Sequence, residues 1–170
     1  MTTPALQIDP PDCLVWNGRR YNCALGFGGL STNKFEGDGA TPVGRFPLRR
    51  VFYRADRIKK PKTQLKVQAL RPRDGWCDDP SHQAYNKLIS RPFPFSHEHL
   101  WREDNIYDLI VEIGYNDMPV ISGKGSAIFI HIAWPSYAST KGCIALQKND
   151  LVDLLRACGP ETDLIIPRPY

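Results

Sequence analysis

Ile128-Phe129-Ile130-His131-Ile132-Ala133 is an apolar run of strand type with one ionisable residue in its middle. In an extended chain alternate side chains face opposite ways, so Phe129, His131 and Ala133 share one face and Ile128, Ile130 and Ile132 the other. The isoleucines fill a core and leave the imidazole at the far surface. Upstream, Tyr107 to Tyr115 alternates just as cleanly. Tyr107, Leu109, Val111, Ile113 and Tyr115 take one face, and Asp108, Ile110, Glu112 and Gly114 the other, which reads as a half-buried strand.

Working outward, Phe46 to Tyr53 and Leu65 to Leu70 read as strands separated by a basic loop. Asn17-Gly18 is a two-residue hairpin signal between Cys13–Trp16 and Arg19–Ala24. Its register sets Trp16 opposite Arg19, Cys13 opposite Asn22 and Cys23 opposite Asp12, so the two thiols point to opposite faces and do not pair. Residues 149–158 form the one clear helix, with Asn149 as N-cap, Asp150 in the first turn, Leu151, Leu154, Leu155 and Cys158 as an apolar stripe, and Gly159-Pro160 as the stop. Leu164-Ile165-Ile166 is the last strand. Gly26 to Gly39 reads as loop; it lacks the Gly-Lys-Ser/Thr of a phosphate loop. Residues 71–106 show no long periodic segment and hold Pro72, Pro80, Pro92 and Pro94. Within them, Arg91-Pro92-Phe93-Pro94-Phe95 is conformationally restricted, a stiff wall over a cleft. Many strands with one or two helices predict a mainly β, α+β fold, a mixed β-sandwich or barrel with Greek-key character, in a single domain spanning 1–170.

The chain has 170 residues, 42% hydrophobic and 24% charged, the balance of an ordinary globular domain. Fifteen prolines argue against an all-helical fold. No run approaches the ~18 apolar residues a membrane helix needs, and Met1 to Pro11 has neither the basic nor the apolar region of a secretory signal. Five cysteines cannot all pair within one chain, and no structural disulfide is expected. The net charge of +4 is uneven: Arg45, Arg49, Arg50, Arg54, Arg57, Lys59, Lys60 and Lys62 crowd one stretch. A solvated strand face plus loop accounts for it, and an anionic polymer is served equally well. No nucleic-acid motif accompanies the charge.

Twelve residues after His131 stands Cys143, preceded by Thr140-Lys141-Gly142. Alone, a cysteine is usually a small buried hydrophobe and a strand histidine a structural residue. Together they carry thiol chemistry, since the thiolate is the nucleophile and an adjacent imidazole lowers its pKa. Gly142 lets the backbone bend so that its own and the cysteine's amide face a developing oxyanion. Cys77, His82, His97 and His99 match no standard metal spacing, and no metal is expected. Asp78-Asp79 would point apart on a strand, poor geometry for paired general acids.

Strand histidine, polar loop, then Thr-Lys-Gly-Cys resembles the catalytic segment of the L,D-transpeptidase family (the YkuD domain), whose motif is a histidine, a loop, then Ser/Thr-His-Gly-Cys. Gly37-Asp38-Gly39-Ala40-Thr41-Pro42-Val43-Gly44-Arg45-Phe46 is similar to the family's Thr-Pro-x-Gly-x-Phe stretch. Asp74-Gly75-Trp76-Cys77-Asp78-Asp79-Pro80, Tyr85-Asn86 and Leu100-Trp101-Arg102-Glu103-Asp104-Asn105-Ile106-Tyr107-Asp108 are similar to signatures of one compact branch. Lys141 replaces the motif's second histidine, Ala145 stands where Arg or Asn is common, and the His131–Cys143 interval is short.

The resemblance implies a YkuD-like mixed β-sandwich and a cysteine acyltransferase acting on peptidoglycan stem peptides and glycan, without a cofactor. It implies Cys143 as nucleophile, His131 as base, the Ile132 carbonyl holding His131, and Gly142 in the oxyanion loop. Trp76, Asp78, Asp79, Tyr85, Asn86, Thr140 and Lys141 are the expected substrate-binding residues. A turn cap at Asp78 and core packing at Tyr85 are the alternative readings. Carbapenems are expected inhibitors, the cell envelope or periplasm the expected setting, and a monomer without membrane insertion the expected form. The branch signatures and the proline segment point to 1,3 crosslinks from L-alanine at position one to diaminopimelate. The alternatives are a 3,3-crosslinking enzyme, an L,D-carboxypeptidase or endopeptidase, and, last, a non-catalytic wall-binding module.

Overall fold

Alternation dominates the chain, and the elements it forms are short. The computed structural model describes residues 5–169. Its strands are β1 (Ala5–Asp9), β2 (Cys13–Trp16), β3 (Arg19–Ala24), β4 (Leu30–Ser31), β5 (Thr41–Pro42), β6 (Gly44–Tyr53), β7 (Lys66–Ala69), β8 (Asp74–Cys77), β9 (Leu88–Ser90), β10 (His97–His99), β11 (Leu109–Ile113), β12 (Phe129–Ile132), β13 (Ile144–Leu146) and β14 (Asp163–Ile166), with one helix, α1 (Lys148–Ala157). Met1 to Pro4 of the stretch read for a signal lie outside the described residues.

The principal sheet runs β11-β12-β13-β3-β2-β1-β14-β6-β7, and β11 also pairs with β6. Eight strands therefore close into a ring, with β7 added in parallel to β6. The long β6 makes closure possible, because residues 44–47 pair with β14 while residues 48–53 pair with β11. The mainly β, α+β expectation holds, with one helix where one or two were expected. So does the hairpin register: Asn17 and Gly18 both take positive φ, Trp16 faces Arg19 and Cys13 faces Asn22. The Cys23 amide donates to Asp12 O at 2.8 Å, and all five thiols are free.

Two cores follow from the two faces of β11 and β12. Leu109, Val111, Ile113, Ile128, Ile130 and Ile132 join the larger core with Leu151, Leu154 and Leu155 of α1. On the opposite face, Phe52, Ile110 and Phe129 pack with Trp76, Leu100 and Tyr107. The second layer comes from a three-stranded sheet, β10-β8-β9, within residues that read as irregular. Strands of three or four residues are too short for periodicity to register, and their prolines fall between them. Because that sheet covers it, β11 is buried on both faces rather than half-buried; Leu109 and Ile110 are both fully buried. Sequence periodicity likewise missed β1 and the two-residue β4 inside the glycine-rich loop.

The helix starts before Asn149. Gln147 is its N-cap, without a side-chain cap bond, and Leu151 N–H already donates to Gln147 O. Strand β13 ends at Leu146, so ladder pairing fixes the entry point and overrides an Asn cap worth about 1 kcal/mol. The basic stretch is largely neutralised: Arg45, Arg49, Arg50, Arg54 and Arg57 pair with Asp163, Asp117, Glu112, Asp56 and Asp108. Arg54 also stacks its guanidinium 3.6 Å from the Trp101 ring centroid.

Candidate active site

β12 and β13 pair in parallel with His131 opposite Ala145 and Ile130 opposite Ile144. One step back in that register Phe129 faces Cys143, so Cys143, Phe129 and His131 lie on one face. Strand spacing and rise put Cβ positions offset in this way about 8 Å apart, within reach of an imidazole. The connecting loop is pinned by backbone bonds, Thr140 N–H to Leu25 O and Phe27 N–H to Thr140 O, each 2.9 Å. Thr140 Oγ1 donates to Cys143 O at 2.6 Å and accepts from Gly142 N–H at 3.1 Å.

Gly142 has φ +128°, and a Cβ there would sit 2.7 Å from Ala40 O. A Cβ on Gly26 would meet Gly142 Cα at 2.9 Å. Backbone thus stacks directly on backbone beneath the cysteine, and buried Thr41 holds the stack by accepting Gly26 N–H at 2.9 Å. The Thr-Pro-x-Gly-x-Phe stretch is the platform under the cysteine loop. Gly142→Ala combines a left-handed backbone with a clash against main chain; it is expected to lower the thermal midpoint by several degrees and slow labelling of Cys143 by muropeptide. A differential scan and an intact mass spectrum read the two effects.

His131 and Cys143 both line a cavity of about 700 Å³. His131 Nδ1 lies 2.9 Å from Ile132 O. A carbonyl only accepts, so Nδ1 carries the proton and Nε2 remains a base. Burial, aided by the Arg102 charge, holds the imidazole down to about 4, against the upward pull of the Ile132 bond. Burial, with the charge of Glu98, pushes the Cys143 thiol up to about 12. The thiol donates to Ala127 O at 3.2 Å, and Phe129 N–H donates to the sulfur at 3.4 Å. Both groups therefore rest neutral, and the lowered thiol pKa expected from the adjacent imidazole is not what this environment produces: burial and the Glu98 charge raise it instead.

The family model described as the L,D-transpeptidase catalytic domain, YkuD, matches residues 5–166. The chain belongs to the YkuD family. A search of curated proteins finds no match. Among solved structures, the helical cell shape determining protein Pgp2 from Campylobacter jejuni is similar at 17% identity, covering 99% of this chain and 49% of that one with a TM-score of 0.48. A lysine-to-alanine mutant of that protein gives 17% identity, 99% and 48% coverage and a TM-score of 0.40. This YkuD chain thus spans about half the length of those structures.

The expected substrate-binding residues of the YkuD domain divide into two groups. Asp78, Thr140 and Lys141 line the cavity with His131 and Cys143. Trp76, Asp79, Tyr85 and Asn86 do not. Trp76 is buried edge-to-face against Phe52 and Phe129 and donates Nε1–H to Asn86 Oδ1. Asn86 Oδ1 also accepts Ala127 N–H, and its Nδ2 donates to Tyr115 O and Asn116 O. Asn86 thereby fixes Ala127, whose carbonyl holds the Cys143 thiol. Tyr85 sits one layer back, its hydroxyl donating to Glu36 and accepting Gly125 N–H. Asp79, not Asp78, makes the turn cap, accepting Ser81 N–H at 2.9 Å. Asp78 instead accepts from Ser96 Oγ at 2.6 Å.

The proline segment is not the cavity wall itself. Phe93 and Phe95 pack with His82, and Phe93 with His97, outside the lining, and β10 contributes His97 and Glu98 to it. No cluster of three metal-ligating side chains occurs among the described residues; His97 Nδ1 bonds to Phe95 O and His82 Nδ1 accepts Ala84 N–H. Glu36 and Glu98 line the cavity without having been singled out in the sequence; Arg102 and Tyr107 line it too and entered the sequence reading within the Leu100–Asp108 signature, with no site role given to them. Tyr107 looked like one more apolar position of its strand, and Glu98 was hidden between two histidines that drew a metal reading. Exposed Phe27 and Trp134 also contribute to the lining.

Proposed function

We propose that this YkuD domain is an L,D-transpeptidase that crosslinks peptidoglycan stem peptides through a Cys143 thioester. The observation that carries this reading is His131, with Nδ1 committed to Ile132 O and Nε2 free as base, on the same sheet face and in the same cavity as the Cys143 thiol. With both groups neutral, His131 Nε2 takes the thiol proton as sulfur attacks the stem-peptide carbonyl, not before. The tetrahedral oxyanion is assigned to the Cys143 amide, since Gly142 N–H is already given to Thr140 Oγ1. His131 then protonates the leaving amine. A side-chain amine of diaminopimelate on a second stem opens the thioester and leaves the crosslink; water in its place gives the hydrolase. No cofactor enters either step.

The linkage proposed is 1,3, from L-alanine to diaminopimelate. Its support is that β10, which follows the proline segment, brings His97 and Glu98 into the cavity lining; a stem that met this wall would present a carbonyl nearer the sugar. The setting proposed is the cell envelope, as a monomer. No helix among the described residues is long and apolar enough to cross a membrane. Intact-protein mass spectrometry after incubation with muropeptides should show an acyl adduct on Cys143, and tandem sequencing of the dimer product reads the bond. A diaminopimelate–diaminopimelate bond replaces the 1,3 linkage by 3,3; shortened stems without dimers replace the transferase by a peptidase. A carbapenem should add its own mass to Cys143 in the same assay, because a thiolate generated at the moment of attack opens a strained lactam as it opens an amide. An unchanged mass would argue against an open, reactive site.

A further inference from the structure

A negative charge beside a cysteine nucleophile is an obstacle to the first half of the proposed reaction. Glu98 is such a charge: it lines the cavity with Cys143 and its field helps push the thiol up. Its place is nonetheless fixed with care. Tyr107 Oη donates to Glu98 Oε1 at 2.6 Å, and the buried Tyr107 ring stands edge-on to His131 with centroids 5.2 Å apart. A carboxyl, a tyrosine and the candidate base are thus linked in the cavity that Cys143 also lines. Glu98 Oε2 has no hydrogen-bond partner among the described residues; the neighbouring acids Glu36 and Asp78 also engage only one oxygen each, with Tyr85 and Ser126 and with Ser96, but neither bonds to the tyrosine that packs on His131. Arg102 is held bidentate by Asp104 rather than by Glu98.

A group that opposes acylation and keeps one oxygen free is explained by the second half of the reaction, in which sulfur is a neutral thioester and the incoming group is a cation. We propose that Glu98 is the acceptor-amine residue of this site, binding the ammonium of the incoming stem through Oε2 and taking its proton, so that the acyl-enzyme is opened by amine rather than by water. The proposal rests on the transpeptidase reading and names the residue that decides transfer over hydrolysis.

The step balances. The ammonium gives one proton to the Glu98 carboxylate, and the freed nitrogen lone pair forms the C–N bond to the thioester carbon. The tetrahedral intermediate collapses with rupture of the C–S bond, and the second nitrogen proton passes through His131 to the leaving sulfur, restoring the thiol. Glu98 returns its proton to solvent as product leaves. Burial holds the Glu98 carboxyl above the usual carboxylate range, with the Tyr107 bond and the charges of Arg102 and Lys141 opposing and that of Asp78 adding. A raised carboxyl accepts a proton more readily, and an arriving ammonium stabilises its charged form.

Glu98→Gln keeps the shape and an oxygen for Tyr107 while removing the charge, and the test compares it with wild type on purified muropeptides. Acyl-enzyme should form in the variant at least as fast as in wild type by intact mass. The ratio of dimer to hydrolysed product should fall at least tenfold, with the KM for acceptor stem raised. Glu98→Asp, which shortens the reach but keeps the charge, should fall between them. An unchanged dimer-to-hydrolysis ratio in Glu98→Gln overturns the proposal, as does loss of the acyl-enzyme in that variant alone, which would place Glu98 in the donor half. Absence of acyl-enzyme in wild type would be a different failure, removing the transpeptidase reading on which the proposal stands.

Discussion

Neither Cys143→Ala nor Cys143→Ser is expected to form an acyl-enzyme or any crosslink, yet the two should differ in stability. The loss of activity follows from the base. An imidazole held down to about 4 by burial takes a proton only from a good donor in concert with attack, and a serine hydroxyl is far less acidic than a thiol. Serine therefore does not rescue, and both variants should fall by at least ~10³ in acylation rate. The stability difference follows from the thiol's bonds. Sγ donates to Ala127 O and accepts Phe129 N–H in a buried position. Alanine leaves both backbone groups unpaired, at roughly 1–3 kcal/mol, whereas serine can still serve them. Urea denaturation should rank wild type and Ser above Ala, while intact mass shows both variants unlabelled. Normal product from either variant would sink the mechanism.

What the sequence disclosed depended on length and on periodicity. The His131 strand, the Asn-Gly hairpin and the apolar stripe of α1 each repeat a pattern often enough for spacing alone to place them, and their faces emerge as read, although His131, expected at the far surface, is buried. The small β8–β9–β10 sheet has no such repeat, so the second layer that buries Ile110 and Phe129 was invisible, and with it the reason β11 is apolar on both sides. The same gap explains the site. Cys143 and His131, which the structure brings into one cavity, stood out because a thiol and an imidazole are rare in a glycine turn and an apolar strand. Trp76 and Asn86 are expected in the cleft because the stretches that carry them are similar to signatures of one branch of the family. Their work is instead to brace Ala127 from behind. Glu98 could be found only by folding the short sheet against the ring, because its partner Tyr107 is nine residues away in sequence and belongs to a different layer.

His131→Gln should cost acylation several orders of magnitude and also remove a characteristic acid sensitivity of the fold. The free imidazole reference is ~6.5, and in the folded chain burial holds it down to about 4. Folding thus favours the neutral ring: the stabilisation is complete above ~6.5 and is lost as pH falls from there to about 4, where the folded state must also take up the proton. The full shift corresponds to about 3 kcal/mol, since each pKa unit is ~1.4 kcal/mol. Wild-type stability measured by urea titration should decline across that window, and His131→Gln should decline less. Activity has a different profile. His131 remains an unprotonated base throughout the neutral range, so acylation should stay level from neutral pH down to about 5 and then fall as the ring protonates. Alkylation of Cys143 by iodoacetamide uses no general base from the protein, so it should be slow at neutral pH and rise steadily with alkalinity towards the thiol value of about 12. A pre-formed thiolate–imidazolium pair would alkylate rapidly and independently of pH across the same range. That outcome would show the neutral resting pair to be wrong while leaving Cys143 as nucleophile.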